Sequence, residues 1–307
     1  MSIARKSLAI VASVSLAMGL AACNRDSAGD GSVTLALSTQ TNPFFVQLRD
    51  GAQAKADELG ITLNIQDASD DASTQINQLN NAASSGADVV IVNPTDSDAV
   101  VPAVEALNNA DIPVIAVDRS SNGGEVASFI ASDNVAGGRQ AADALAAAIG
   151  EEGDVIVLQG IAGSSASRDR GQGFNEGIAA YPNINVVATQ TAGFDRTRGL
   201  DVASNLLQAH PNVKAIFAEN DEMALGALEA LGARAGEDVM VVGFDGTDDG
   251  LAAVQDGRMV ATIAQQPGEL GAQAVEQAKK ILDDQTPDEE VPVDVVTVTR
   301  ENVGDFE

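Results

Sequence analysis

The side chains best placed to do chemistry are a few charged and aromatic residues at the ends of apolar runs. Asp118-Arg119 closes the run Ile112-Pro113-Val114-Ile115-Ala116-Val117, and Phe244-Asp245 follows Val239–Gly243. A charged pair in such a place is either a solvated loop or a ligand contact, and the run alone does not choose between them. Arg168 and Arg170 stand in a second segment of this kind, Gly163–Gly173. Two acids, Asp118 and Asp245, facing two arginines, Arg119 and Arg170, would form a site with no net charge. That suits a neutral polyol, whose hydroxyls donate to carboxylates and accept from guanidinium groups. A phosphate or an amino acid would call for an unbalanced site. Aromatic residues make up only 3% of the chain, so the positions of Phe44, Phe45, Phe194 and Phe244 carry information. Stacking on the C–H face of a sugar ring and burial in the interior are both open to them.

Several catalytic and metal templates lack their parts. The chain has one histidine, His210, and one cysteine, Cys23, so Cys/His and Ser/His catalysis and metal clusters are not expected. Gly160-Ile161-Ala162-Gly163-Ser164-Ser165 is glycine-rich but has no P-loop lysine. Asp245-Gly246-Thr247-Asp248-Asp249-Gly250 with Asp256 faintly echoes a calcium loop. A helix start capped by Thr247 or Asp248 explains those residues better. No cofactor is expected.

These residues need a scaffold, and the chain alternates in a way that supplies one. Short β-branched runs at Val33–Leu37, Ile61–Gln66, Val89–Asn93 and Val114–Asp118 are separated by helical stretches near 45–59, 73–85 and 98–109. The pattern resumes at Val155–Gln159, Asn185–Thr189, Val213–Ala218 and Val239–Phe244. Strands spaced by helices imply parallel sheets covered on both faces, and about ten strands divide most naturally into two doubly wound lobes. In such sheets ligands bind beyond the carboxyl ends of the strands. Ser38, Asn93, Asp118-Arg119, Gln159, Asn220-Asp221 and Asp245 all stand there.

Of 307 residues, 17 are lysine or arginine and 45 are acidic, for a formal charge of -28. That balance argues against nucleic acid as a partner and serves solubility. Arg5-Lys6 followed by the small, apolar stretch Ser7–Leu20 reads as a secretory signal, too short to span a bilayer. It ends in Leu20-Ala21-Ala22-Cys23, which looks like a lipoprotein signal with Cys23 as the lipidated residue. Asn24–Ser32 then reads as a flexible tether.

On these residues the chain closely resembles the periplasmic ribose-binding protein family, from about Val33 to Asp294. The segments that carry the likeness, in order, are STQTNPFFVQLRDGAQ (38–53), IVNPTDSDAV (91–100), PVIAVDR (113–119), IASDNVAGG (130–138) and LQGIAGSSASRDRGQGF (158–174). FDR (194–196), FAENDEMALGAL (217–228), VMVVGFDGT (239–247) and ATIAQQP (261–267) follow. The resemblance implies the type I periplasmic binding protein fold, two Rossmann-like, doubly wound parallel-sheet α/β lobes joined by a three-crossover hinge. With the leader read as a signal peptide at 1–22 and a tether at 23–32, the resemblance implies an N-terminal lobe of 33–132 with 266–294, and a C-terminal lobe of 133–265 with 295–307. Carried over residue by residue, the family's ribose contacts fall on Ser38, Asn42, Phe44, Phe45, Asn93, Asp118, Arg119, Arg170, Phe194, Asn220, Phe244, Asp245 and Gln265. Arg168 is not among them and reads as a loop charge.

The expected role is therefore capture of D-ribose outside the cytoplasm and delivery to an ABC transporter permease, with no catalysis. Allose, another pentose or a ribose-like furanose signal is the alternative ligand. A monomer is expected, held to a membrane only through the lipid, and a chemoreceptor stands as a further candidate partner. A sugar-responsive transcription regulator shares the bilobal fold but would carry a helix-turn-helix where the leader and tether stand. An enzyme on the same scaffold would need a catalytic group, and none is evident. The lipid signal and the acidity both depart from the family pattern, and neither touches the pocket.

Overall fold

The computed structural model describes residues 31–306. The leader, Cys23 and the tether as far as residue 30 lie outside them, and Ser32, read as the end of the tether, opens the first strand. The chain runs β1 (Ser32–Leu37), α1 (Pro43–Leu59), β2 (Thr62–Asp67), α2 (Ala72–Ser85), β3 (Val89–Val92), α3 (Val101–Asn109), β4 (Val114–Val117) and β5 (Ser128–Ser132). It continues through α4 (Asn134–Ala148), β6 (Glu152–Gln159), α5 (Ser165–Ile178), β7 (Asn183–Thr191), α6 (Arg196–Ala209), β8 (Ala215–Ala218), α7 (Asp221–Leu231) and β9 (Met240–Asp245). Then come α8 (Asp248–Gln255), β10 (Ala261–Ala264), α9 (Pro267–Leu282), β11 (Glu290–Val293) and β12 (Val296–Thr299).

The strands form two six-stranded sheets, ordered β11-β5-β4-β3-β1-β2 and β12-β10-β9-β8-β6-β7. All named pairs are parallel except β10 with β12. This is the two-lobed, doubly wound α/β architecture that the alternation implies. Strands β3, β4, β8 and β10 are buried along their whole length, because helices cover both faces of each sheet. The apolar layers reflect this: Leu35, Leu48 and Leu270 lie on one face of the first sheet, and Leu79, Val90 and Leu107 on the other. The chain passes between sheets three times, between Ser132 and Asn134, Ala264 and Pro267, and Val293 and Val296.

Two local differences from the sequence reading matter for function. Helix α1 begins at Pro43, capped by the Asn42 side chain, which accepts from the Phe44 N–H at 3.0 Å. Proline at the first helical position lacks only an N–H that would be unpaired anyway, so the helix starts two residues before the expected 45 and Phe44 and Phe45 both ride on its first turn. Helix α5 begins at Ser165, which puts Arg168 and Arg170 on its first turns rather than in a loop. The calcium-like segment is a helix start, with Thr247 capping α8 through the Gly250 N–H at 3.2 Å.

Helix α5 is held against α4 by close backbone approach. A Cβ on Gly138 would stand 2.2 Å from the Arg170 carbonyl oxygen and 2.7 Å from the Phe174 nitrogen. Helical Gly→Ala replacement ordinarily gains up to about 1 kcal/mol of propensity, but here the helices would have to part, at about 1–3 kcal/mol for overpacking. Gly138→Ala should therefore lower the unfolding free energy measured in urea. A variant at least as stable as wild type would show that this contact does not set the helix spacing.

Candidate functional site

The carboxyl ends of the two sheets face one another across a cavity of about 240 Å³, its mouth included. Asn42, Phe44, Phe45, Asp118 and Arg119 line it from the first lobe, and Ala166, Arg170, Phe194, Asn220 and Asp245 from the second. Each charged member is at most 4% exposed, so two negative and two positive groups share a space almost closed to water.

Asp118 is placed by the end of β4. Its N–H donates to the Ile130 carbonyl at 2.7 Å, and the Arg119 N–H turns back to the Val117 carbonyl at 2.7 Å, a three-residue turn over Asp118 at φ 65°. Asn93 at the end of β3 holds the side chain. Its Nδ2 donates to Asp118 Oδ2 at 3.2 Å and to the Val117 carbonyl at 3.1 Å, while its Oδ1 accepts the Ser38 N–H. The other oxygen, Asp118 Oδ1, has no hydrogen-bond partner among the described residues. Arg119 donates to the Pro94 carbonyl at 3.2 Å and keeps its Nε 3.5 Å from Asp118 Oδ2.

The second lobe builds a matching pair. Arg170 donates from Nε to Asn134 Oδ1 at 2.8 Å and from Nη1 to the Glu219 carbonyl at 2.6 Å, with Asp245 Oδ1 at 3.5 Å. Gln265, at the end of β10, donates to Asp245 Oδ1 at 2.6 Å. Asp221 fixes the turn after β9, accepting from the N–H groups of Gly246 and Thr247 and the hydroxyls of Thr247 and Thr262 at 2.7–3.1 Å. The rings interleave with the cations. Arg119 lies 5.1 Å from the Phe45 centroid and 5.4 Å from that of Phe194, and Arg170 lies 5.8 Å from Phe194 and 3.9 Å from Phe244. Such stacking favours desolvated cations.

Nine of the thirteen expected contacts thus line the cavity. Ser38, Asn93, Phe244 and Gln265 stand behind the lining instead: Asn93 and Gln265 orient Asp118 and Asp245, Phe244 underlies Arg170, and Ser38 bonds Asn93. Ala166 lines it too, but an alanine carries no chemical signal in sequence. Asp221 stands at a strand end, yet only its burial and four donors give it the role of anchoring the Asp245 turn. Direct bonds join the lobes beside the cavity, from the Ser97 N–H to the Gly163 carbonyl and from the Ser120 N–H to Ser165 Oγ, both 2.9 Å. Arg168, read as a loop charge, reaches Asn122 Oδ1 across the same cleft at 3.3 Å.

Burial pushes Asp118 up, against the opposing pull of Arg119, and pushes Asp245 well above the usual carboxylate range, against Arg170. Burial likewise raises Asp221 to about 6 and Glu219 to about 7 from ordinary values of 3.8 and 4.5. Acids raised in the fold bind more protons there than in the unfolded chain, so this stabilisation is complete at low pH and is lost as pH rises from about 4 to about 7. Self-repulsion of the acidic chain acts in the same direction. Urea unfolding should yield a lower free energy at pH 8 than at pH 5.5, and the reverse order would contradict these assignments.

A family model described as a periplasmic binding protein domain matches residues 33–286. The ribose import binding protein RbsB of Escherichia coli (strain K12) is 51% identical over 269 residues, 88% of this chain and 90% of that protein. RbsB of Bacillus subtilis (strain 168) is 46% identical over 250 residues, 81% of each. Among solved structures, an ABC transporter periplasmic solute binding protein from Actinobacillus succinogenes 130z with bound D-allose superposes with a TM-score of 0.84. It is 33% identical, over 90% of this chain and 100% of that one.

Proposed function

The chain belongs to the periplasmic binding protein family, and from that premise we propose that it captures D-ribose between its lobes and delivers it to an ABC transporter permease. It is a binding protein and not an enzyme, and it works outside the cytoplasm. The observation that carries the ribose reading is the charge-balanced cavity, with one carboxylate–guanidinium pair from each lobe, both buried. A neutral polyol can give hydroxyl hydrogens to Asp118 and Asp245 and accept from Arg119 and Arg170 without bringing a charge of its own. Phe45 and Phe194 would cover the apolar faces of the ring. A site this buried admits a ligand only when the lobes part, and hinge closure about a ligand is a known motion of two-lobed binding proteins. Ribose is favoured over allose because the ribose import relatives are 46–51% identical, against 33% for the allose-bound protein.

Each carboxylate contributes charged hydrogen bonds of about 1.5–3 kcal/mol, and its loss leaves a buried guanidinium without its counter-charge. Asp118→Ala and Asp245→Ala should each weaken ribose binding by about a hundredfold or more in calorimetry, since about 1.4 kcal/mol is a factor of ten. Asp248, exposed on the first turn of α8, is the control, and Asp248→Ala should bind as wild type does. Equal affinities in all three variants would refute the site.

Lipid attachment at Cys23 is the second element of the reading, supported by the small residues before it and the apolar stretch upstream. In the native host, wild type should sediment with membranes and Cys23→Ala should not. Identical fractionation would rule the anchor out.

A further inference from the structure

Glu219 lies between the end of β8 and the start of α7 and is fully buried. Its carboxyl is used on one side only. Oε2 accepts the Gly160 N–H at 2.8 Å and the Ser167 hydroxyl, whereas Oε1 has no partner among the described residues. Both donors belong to elements that carry cavity walls. Ser167 precedes Arg170 by one turn of α5, and Arg170 also donates to the main-chain carbonyl of Glu219. Gly160 is the floor under Phe194, because a Cβ there would stand 2.1 Å from the nearest ring atom.

We propose that Glu219 is a positioning residue for sugar capture: its carboxyl ties the end of β6 to the first turn of α5 and so sets Phe194 and Arg170 against the ligand. This rests on the reading of the cavity as a sugar site. Glu219 is not among the residues that line the cavity, so it acts through those two. The charged group that faces it from α5 is Arg170; α4 brings the amide of Asn134, and the acids of β6, Glu152 and Asp154, stand at the strand's opposite end. Asp245, at the end of β9, lies 3.5 Å from the same guanidinium nitrogen that donates to the Glu219 carbonyl, and Asp221 is two residues further along the chain.

One oxygen accepting two donors serves a neutral carboxylic acid as well as a carboxylate. Burial raises this carboxyl to about 7, with Gly160, Ser167 and Arg170 opposing. That is its value with the lobes together, and parting them wets the cavity in front of Arg170 and Phe194 and eases ionisation of the carboxyl behind them. The closed, sugar-bound state therefore takes up protons, and affinity falls as pH rises through neutrality. A difference of half a unit between open and closed forms changes Kd about threefold.

Calorimetric titration with ribose at pH 6.5 and 8.5 on wild type, Glu219→Gln and Glu219→Ala tests this. Wild type should bind about threefold more weakly at pH 8.5. Glu219→Gln keeps an acceptor oxygen without a titrating proton, so it should bind about as tightly as wild type at pH 6.5 and lose that change. Glu219→Ala should lose about tenfold or more at both pH values, because two buried donors are left unpaired. Wild-type affinity in Glu219→Ala, or an unchanged pH dependence in Glu219→Gln, overturns the proposal. Should Glu219→Ala fail to fold by circular dichroism, the Glu219→Gln profile decides alone. A wild type that binds no ribose at either pH overturns the functional reading itself, and the proposal falls with it.

Discussion

Two carboxylates and two guanidinium groups are buried together at the meeting of two lobes, and most features of the molecule follow from making that tolerable. Moving an ion out of water costs several kcal/mol even after relaxation, and the cost is offset only by close opposite charge and satisfied hydrogen bonds. Each lobe supplies both. Asn93 and Arg119 hold Asp118 from the first sheet, while Gln265 and Arg170 hold Asp245 from the second, with Asn134 and the Glu219 carbonyl completing Arg170. Each half is balanced within itself, so the lobes can separate without stranding a charge.

The sheets explain why the halves match. In strand order, β2-β1-β3-β4-β5 in the first lobe corresponds to β7-β6-β8-β9-β10 in the second, and the strand order reverses at the same place in both. Asp118 follows β4 and Asp245 ends β9, the equivalent strand. Both acids, and Phe194, have positive φ, at 65°, 126° and 62°. Non-glycine residues held there cost about 1–3 kcal/mol each and cluster where geometry serves function. The strain is retained where side chains must project beyond the strand ends into the cleft.

Much of this was legible in the sequence. Apolar runs of four to six residues identified the central strands, because a strand covered on both faces has no polar alternation to hide it. The charged and aromatic residues after those runs identified most of the cavity lining. The peripheral strands were harder. β11 is Glu-Val-Pro-Val at a sheet edge, where proline is tolerated but reads as a breaker, and the apolar run of β5 is only Phe-Ile-Ala between serines. Which residues face the ligand and which stand behind them was not legible either. Asn93 and Asp118 both follow strands, but only the hydrogen bonds show that one orients the other. Arg168 differed from its expected role because its partner, Asn122, is 46 residues away in sequence.

The bonds from Ser97 to Gly163, Ser120 to Ser165 and Arg168 to Asn122 are few beside the contacts within each lobe. A sugar that bridges Asp118 and Asp245 would therefore supply a large part of the closing force, and closure would be linked to binding. Small-angle X-ray scattering of the purified protein, with and without saturating ribose, measures that link directly. Capture between moving lobes predicts a smaller radius of gyration with ribose than without it. An identical profile in the two samples, with binding verified in parallel, would contradict it.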